Sequence, residues 1–233
     1  IEIPSQGENT FSSLIMYIDT RDVTVTITDV TIEEGMDTSP LVGMWMTSME
    51  AGSFGVGPNE FDTSWWNNGI AGVNEARGCF FDDEFTFAAD GTLTIDQQGS
   101  TWLETWQEGV SAEGCGTPVA PHDGMGDYTW MMDEMADPMT LTVEGLGGYL
   151  GLPKAVNGYE LSAEGAVTPS SVTYNIHPSD ADDDSFTVTI YVGDTPDGVP
   201  VWWQWKMVRK MPPVDTDMDG VPDDEDAFPN DPA

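Results

Sequence analysis

The stretch that decides the fold spans residues 186–208, where FTVTIYV at 186–192 is followed by VWWQWKMV at 201–208. Both runs are rich in β-branched and aromatic residues, and Gly, Asp and Pro fill the segment between them. Runs of this kind, bounded by turn-forming residues, are typical of β-strands. The sequence therefore predicts two neighbouring strands near the end of a main body at residues 41–210.

Further strand candidates of the same kind precede this pair. They are Val42 to Met49, Phe80 to Phe87, Thr92 to Asp96, Tyr128 to Met132, Met139 to Glu144 and Val172 to Ile176. Ala88-Ala89-Asp90-Gly91 indicates a hairpin between two of them. Because no long helical period interrupts the pattern, we predict an all-β fold, an antiparallel β-sandwich with a lipocalin-like β-barrel as the alternative.

The first 40 residues are predicted to be a separate segment. Residues 23–30, VTVTITDV, alternate apolar and polar side chains, which is typical of a half-buried strand. A compact apolar run, LIMYI, precedes them at residues 14–18. The segment is too short for a domain, so residues 1–40 are either an edge β-hairpin of the main fold or the end of a preceding module.

The charge of the chain limits its partners. The 233 residues include 42 acidic and 6 basic ones, which gives a formal net charge of −36. The 9 Trp, 9 Phe and 6 Tyr are too many for a disordered acidic tail, so the chain is expected to fold. Nucleic acid and anionic lipid would be repelled, which leaves cations and neutral ligands as partners. No apolar stretch of about 18 residues occurs, so no membrane insertion is predicted.

Two cysteines, Cys79 and Cys115, are the only thiols of the chain. Neither belongs to a CxxC pair, and no Cys/His cluster accompanies them. In an acidic extracellular protein they would most simply form one disulfide, and two free buried thiols are the alternative.

The C-terminal segment at residues 211–233 contains a pattern of regularly spaced carboxylates. Counted from Asp215, acidic residues and one glycine follow the ligand order of the calcium loop of EF-hands, although the flanking helices are missing. The segment resembles a thrombospondin type 3 repeat, a calcium-binding linker between modules of secreted proteins. The resemblance implies calcium bound by Asp215, Asp217, Asp219, Val221 (through its carbonyl), Asp223 and Asp226. The alternative is a solvated acidic tail.

Several tryptophans are candidates for contact with a sugar. An indole ring with one exposed face can stack on the apolar face of a pyranose, while core packing is the alternative for every tryptophan. Consecutive strand residues point to opposite faces, so Trp202 and Trp203 cannot both be core. Core packing is favoured for Trp45, Trp130 and Trp205. The candidate ring contacts are Trp65, Trp66, Trp102, Trp106 and Trp203.

Polar side chains near these tryptophans are candidates for binding sugar hydroxyls. They are Asp82, Asp83, His122, Asp123 and Lys154. For Asp82 and Asp83 the alternatives are hydrogen bonds within a loop or a structural cation. For Lys154 the alternative is an ion pair with a carboxylate, because cations are scarce in this chain.

Five sequence pieces occur together in a fixed order. They are GSFGVGP at 52–58, DTSWW at 62–66, ARGCFFDDEF at 76–85, CGTPVAPHDG at 115–124 and YLGLPKAVNG at 149–158. As a set they resemble a β-sandwich module found beside laminarinase-type glycoside hydrolases and in surface glycan-binding proteins of marine bacteria. The resemblance covers roughly residues 41–210. It implies a non-catalytic carbohydrate-binding module for β-1,3-glucan, within a secreted or cell-surface multimodular protein.

Catalysis is the less favoured interpretation. A glycosidase needs two carboxyls flanking the scissile bond, and Asp82 to Glu84 is the best local cluster. The ExDxxE signature of laminarinases begins at Glu60 but is broken by Trp65, and neither GxSxG nor HExxH occurs. Two alternatives to a binding module remain, namely a calcium-stiffened structural or adhesive module and a glycoside hydrolase.

Overall fold

The computed structural model describes residues 39–179 and 184–210, which form fourteen strands and two short helices. The strands are β1 (Gly43–Thr47), β2 (Phe54–Gly57), β3 (Trp66–Asn67), β4 (Glu84–Phe87), β5 (Thr92–Asp96), β6 (Thr101–Leu103), β7 (Gly114–Gly116), β8 (Tyr128–Asp133), β9 (Met139–Glu144), β10 (Ala155–Val156), β11 (Tyr159–Glu160), β12 (Ser171–Pro178), β13 (Ser185–Asp194) and β14 (Pro200–Arg209). The helices are α1 (Val73–Ala76) and α2 (Gly78–Phe81). Neither of these helices is long and apolar enough to cross a lipid bilayer.

Two sets of predictions lie outside the described residues. These are the strands expected near the N-terminus and the calcium loop at residues 215–226. The domain boundaries proposed at residues 40 and 210 stay predictions.

Eight antiparallel strands close into a barrel. The order of hydrogen-bonded neighbours is β1, β4, β5, β8, β9, β12, β13 and β14, and β14 pairs back to β1. Strand β2 also pairs with β14 and carries β3 on its other edge. Two small hairpins, β6–β7 and β10–β11, lie outside this sheet. The all-β antiparallel prediction is therefore confirmed, whereas the choice between a sandwich and a lipocalin-like barrel stays a prediction.

The inside of the closed sheet is filled by large side chains. Inward residues alternate with outward ones, as in β5, where Leu93 and Ile95 are buried between exposed neighbours. Trp45 and Trp205 are fully buried, as expected for core residues. Trp130 is half-buried against Phe87, with its ring centroid 5.3 Å away. Each fully buried Leu, Ile or Phe side chain of this core contributes roughly 1.5–3 kcal/mol to the free energy of unfolding.

One predicted strand is partly wrong. The segment from Phe80 to Phe87 was expected to be extended throughout, but its first part belongs to α2 and only residues 84–87 form β4. Phe80 and Phe81 are both buried and both pack on Phe54, with ring centroids 5.1 and 6.3 Å away. A strand would send two consecutive side chains to opposite faces, so only a helical turn allows both rings to reach the same partner.

Two glycines of β2 let the following loop lie against the strand. A Cβ at Gly57 would overlap the backbone oxygen of Asp62. A Cβ at Gly55 would come within 2.5 Å of the backbone oxygen of Trp66 and 2.7 Å of Cβ of Thr63. The GVG pattern of β2 is therefore required for the close approach of residues 58–66.

The disulfide between Cys79 and Cys115 is present, as predicted. It joins α2 to β7 across a sequence separation of 36 residues. Because β7 pairs with β6, the bridge ties the short helices to the β6–β7 hairpin. On the chain-entropy model a loop of this size adds roughly 3–4 kcal/mol to stability.

Candidate functional site

Aromatic rings and cations meet in one region, which we call the aromatic–cation cluster and define by Trp66, Arg77, Trp102, Glu104, Trp106, Lys154 and Trp203. At its centre, the Arg77 guanidinium carbon lies 5.0 Å from the ring centroid of Trp66 and 4.4 Å from that of Trp102. The rings of Trp66 and Trp203 are 6.2 Å apart. The structure therefore brings together five residues that the sequence marked as candidates, namely Trp66, Trp102, Trp106, Lys154 and Trp203.

Strand pairing and the disulfide position these rings. Val56 of β2 pairs with Trp66 on one side and with Trp203 on the other, so the two indoles extend from the same face of the sheet. On the other side of the cluster, Trp102 of β6 pairs with Cys115. Cys115 is bonded to Cys79, two residues after Arg77. The covalent bridge thus holds the arginine-bearing segment close to Trp102.

Glu104 connects the rest of the cluster. Its Oε1 is 3.0 Å from Nζ of Lys154, and its Oε2 accepts a 2.8 Å hydrogen bond from Nε1 of Trp106. The side chains of Lys154 and Glu104 are only 15% and 11% exposed, so water screens this ion pair weakly. Lys154 also lies 4.9 Å from the ring centroid of Trp203. The carboxylate partner expected as the alternative for Lys154 is therefore present, and a direct contact of Lys154 with sugar stays a prediction.

His122 lies behind Trp106 rather than at the surface. It is 3% exposed, and its ring centroid is 5.5 Å from that of Trp106. Burial lowers the pKa of His122 to about 4, although the nearby Asp123 raises it. The imidazole is therefore neutral at pH 7 and supports Trp106 by packing. The two residues line a cleft of about 170 Å³ together with Leu161 and Thr168.

Asp83 is buried, which corrects its interpretation as a direct sugar contact. It is 1% exposed, and its Oδ2 accepts a 2.7 Å hydrogen bond from Oγ1 of Thr101. Oδ1 has no hydrogen-bond partner among the described residues. Burial raises the pKa of Asp83 to about 8, with the Thr101 hydrogen bond opposing this shift and the charges of Asp82 and Asp96 adding to it. The carboxyl group is therefore largely protonated at neutral pH.

The two other predicted carboxylates lie nearer to solvent. Asp82, next to Asp83, is exposed. Asp123 is half-buried, and its Oδ1 accepts a 3.1 Å hydrogen bond from the backbone N–H of Met125. A contact of either carboxylate with sugar stays a prediction.

Two of the candidate tryptophans do not present a ring at the cluster surface. Trp203 is 6% exposed, and its Nε1 donates a 2.5 Å hydrogen bond to Oε1 of Glu160, so its ring faces are covered. The outward member of the Trp202–Trp203 pair is Trp202, which packs on Tyr191 with ring centroids 5.5 Å apart. Trp65 is 46% exposed, but it shares none of the ring contacts that connect the cluster.

The sequence analysis missed Arg77, Glu104 and Glu160 as parts of this region. The scarcity of cations could have pointed to Arg77, because only 6 of the 233 residues are Lys or Arg. Glu104 lies between Trp102 and Trp106 in TWLETWQ, which could have suggested a hydrogen bond to an indole. Within residues 39–179 and 184–210, no three His, Cys, Asp or Glu side chains are grouped so that they could hold a metal ion.

Comparisons with known proteins give no further indication of function. No family model, no curated protein and no solved structure matches the chain. The function is therefore inferred from the chemistry of the cluster and from the residues that line it.

The buried carboxyl of Asp83 predicts a pH-dependent stability. Its pKa in the folded state, about 8, lies above the ordinary value of 3.8, so the folded state binds the proton more tightly than the unfolded state. Asp83 therefore lowers the free energy of unfolding progressively as the pH rises from about 4 to about 8. Asp83→Asn removes this dependence, so urea denaturation should show the variant gaining stability relative to wild type across that range.

Asp197→Asn serves as the control, because it removes the same charge from an exposed position whose charge does not contribute to the pKa shift of Asp83. It should leave the pH dependence of the unfolding free energy nearly unchanged. If the free energies of unfolding of Asp83→Asn and wild type fall in parallel between pH 4 and pH 8, the claim that Asp83 is buried in its protonated form is contradicted.

Proposed function

We propose that the chain is a non-catalytic carbohydrate-binding module of a secreted or cell-surface multimodular protein, and that it binds β-1,3-glucan such as laminarin. The observation that carries the proposal is the pair of half-buried indoles, Trp102 and Trp106, held in place by charged side chains. An indole that is partly open to solvent offers an apolar surface for a sugar ring. The β-1,3 linkage is proposed from the resemblance of residues 41–210.

The fixed position of Trp106 favours ligand binding. Its Nε1 is bonded to Glu104, and Glu104 is itself held by Lys154. A side chain that is already immobilised loses little conformational entropy when a ligand binds, so more of the contact energy appears as affinity. The cleft beside Trp106, lined also by His122 and Thr168, could accept the neighbouring part of a sugar chain.

The surrounding charges favour a neutral ligand. Glu104 and Glu160 are hydrogen-bonded to the indoles of the cluster, and Glu113 lies close enough to act on Arg77 through its charge. The whole chain carries a net charge of −36. A polysaccharide without charged groups avoids this repulsion, whereas nucleic acid does not.

The carboxylates considered for hydrolysis are held in other roles. Both oxygens of Glu104 bind neighbouring side chains, and Asp83 is buried. Glu60, which begins the broken ExDxxE pattern, accepts hydrogen bonds from Thr189 at 2.6 Å and from Asn175 at 3.1 Å. Glycoside hydrolysis requires two carboxyls facing each other across a sugar-sized gap, so these contacts support the binding function over the hydrolase.

We also propose that the C-terminal segment binds calcium. Its proposed ligands are Asp215, Asp217, Asp219, the carbonyl of Val221, Asp223 and Asp226. Calcium prefers six to eight oxygen ligands, and alternating carboxylates around a turn-forming Gly220 supply them. The bound ion would stiffen the connection to another module. The same sequence order favours the second candidate function, a calcium-stiffened structural or adhesive module.

Native affinity electrophoresis in gels containing laminarin tests sugar binding. The wild-type chain should be retarded. Trp102→Ala or Trp106→Ala should lower the affinity for laminarin at least about tenfold, as expected when an aromatic ring that contacts the ligand is removed. Trp202→Ala is the matched control, because Trp202 is also half-buried but packs on Tyr191 outside the cluster. Unretarded wild-type chain, or an equal loss in Trp202→Ala, would contradict the proposal. Released reducing sugar would indicate the hydrolase instead.

Calorimetric titration of the full chain with calcium tests the C-terminal site. We expect a dissociation constant on the order of 10⁻⁴–10⁻³ M, the range of extracellular calcium modules. Asp217→Asn should weaken binding strongly because it removes a ligand. Asp197→Asn removes the same charge from an exposed position and should leave binding unchanged. Equal binding by both variants would overturn the assigned ligands.

A further inference from the structure

Arg77 differs from the other Lys and Arg side chains of the described residues because it has no carboxylate partner there. Within residues 39–179 and 184–210, the remaining Lys and Arg side chains each form an ion pair, namely Lys154 with Glu104, Lys206 with Glu50, Arg209 with Asp184 and Lys210 with Glu84. The Arg77 guanidinium forms neither an ion pair nor a hydrogen bond with any residue of these ranges. Its described partners are the two indole rings.

This position carries an energetic cost. Burial lowers the pKa of Arg77, and the charges of Glu104 and Glu113 oppose that shift without forming an ion pair with it. Withdrawing a charged group from water without hydrogen bonds is unfavourable. The faces of Trp66 and Trp102 offset part of this cost through cation–π contact. None of the guanidinium N–H groups is taken by a residue of the described ranges.

The two rings determine the direction from which Arg77 can bind a ligand. The guanidinium carbon lies over the rings of Trp66 and Trp102, and a ring face offers no oxygen or nitrogen acceptor, so the N–H groups of Arg77 remain available to acceptor oxygens of a ligand. Arg77 is half-buried, so part of its side chain remains open to solvent. A planar edge of this kind can donate two parallel hydrogen bonds to a pair of oxygens.

We propose that Arg77 is a specificity-determining residue that donates paired hydrogen bonds to two neighbouring hydroxyl oxygens of a neutral sugar bound at the aromatic–cation cluster. This inference rests on the proposed carbohydrate-binding function and adds a residue and a ligand group to it. Contact with Trp66 and Trp102 restrains the guanidinium before the ligand arrives, which lowers the entropy lost on binding.

Local charge favours hydroxyls over an acidic sugar at this position. Glu104 and Glu113 are both near enough to act on Arg77 through their charge. A carboxylate or sulfate on the ligand would meet their repulsion as well as that of the whole acidic chain. A neutral pair of hydroxyls accepts hydrogen bonds from Arg77 without this penalty.

Calorimetric titration of the full chain with laminarihexaose tests this role. Arg77→Met keeps an apolar stem between the rings but removes every donor, and it should weaken binding about tenfold to a hundredfold, the loss expected for hydrogen bonds from a charged group. Lys206→Met is the control, because it removes the same charge from the exposed ion pair with Glu50. It should bind laminarihexaose within about twofold of wild type, and wild-type affinity should be nearly independent of salt.

Arg77→Lys and near-ultraviolet circular dichroism keep the test interpretable if the methionine variant misfolds. Lysine retains a cation between the rings but lacks the planar pair of donors, so this variant should keep the aromatic spectrum of wild type and still bind more weakly. Wild-type affinity in both Arg77 variants, together with loss of binding in Trp102→Ala, would overturn the role of Arg77 and leave the proposed function intact. No binding of laminarihexaose by wild type would overturn both. Binding of alginate instead of laminarihexaose, with an affinity that falls as salt is added, would contradict the proposal that the ligand is a neutral sugar.

Discussion

The hydrogen bonds along β14 are the interaction on which the rest of the structure depends. This strand pairs with β13 along one edge, while its other edge pairs first with β2, at Trp202–Trp205, and then with β1, at Met207–Arg209. The change of partner closes the eight-strand barrel and leaves β2 and β3 attached beside the closure. Trp66 reaches the aromatic–cation cluster through this attachment, because β3 follows the edge of β2. Loops and short elements held by a rigid sheet are common places for binding sites.

The second constraint is covalent. The bond between Cys79 and Cys115 joins α2 to the β6–β7 hairpin, and these two segments carry Arg77 and Trp102. Neither segment belongs to the closed sheet, so their relative position depends on this bridge and on the cation–π contacts of Arg77 with Trp66 and Trp102. Glu104 extends the same arrangement to Trp106 and Lys154. The cluster is therefore an assembly of polar and aromatic contacts around a fixed frame, and it is the surface that we propose binds sugar rings.

Much of the fold could be predicted from the sequence, because strand patterns are local. Residues 92–96 and 139–144 form strands with the expected bounds, and the hairpin at Asp90-Gly91 joins β4 to β5. The partner change of β14 could not be predicted, since it depends on pairing between residues far apart in the chain. Alternation showed that Trp202 and Trp203 must face opposite sides but not which side is buried. The contact of Arg77 with Trp66 and Trp102 was missed because it joins residues from three separate segments, and local patterns do not show which distant segments meet.

Nuclear magnetic resonance of the indole N–H groups tests binding at the cluster most directly. The nine tryptophans of the chain give one side-chain signal each, and laminarihexaose can be titrated into the 15N-labelled protein. Binding at the cluster predicts that the signals of Trp102 and Trp106 shift in a saturable way. The signals of Trp45 and Trp205, which are fully buried in the core, should stay in place. Unchanged signals for Trp102 and Trp106 at saturating sugar, or shifts confined to Trp65 and Trp202, would contradict it.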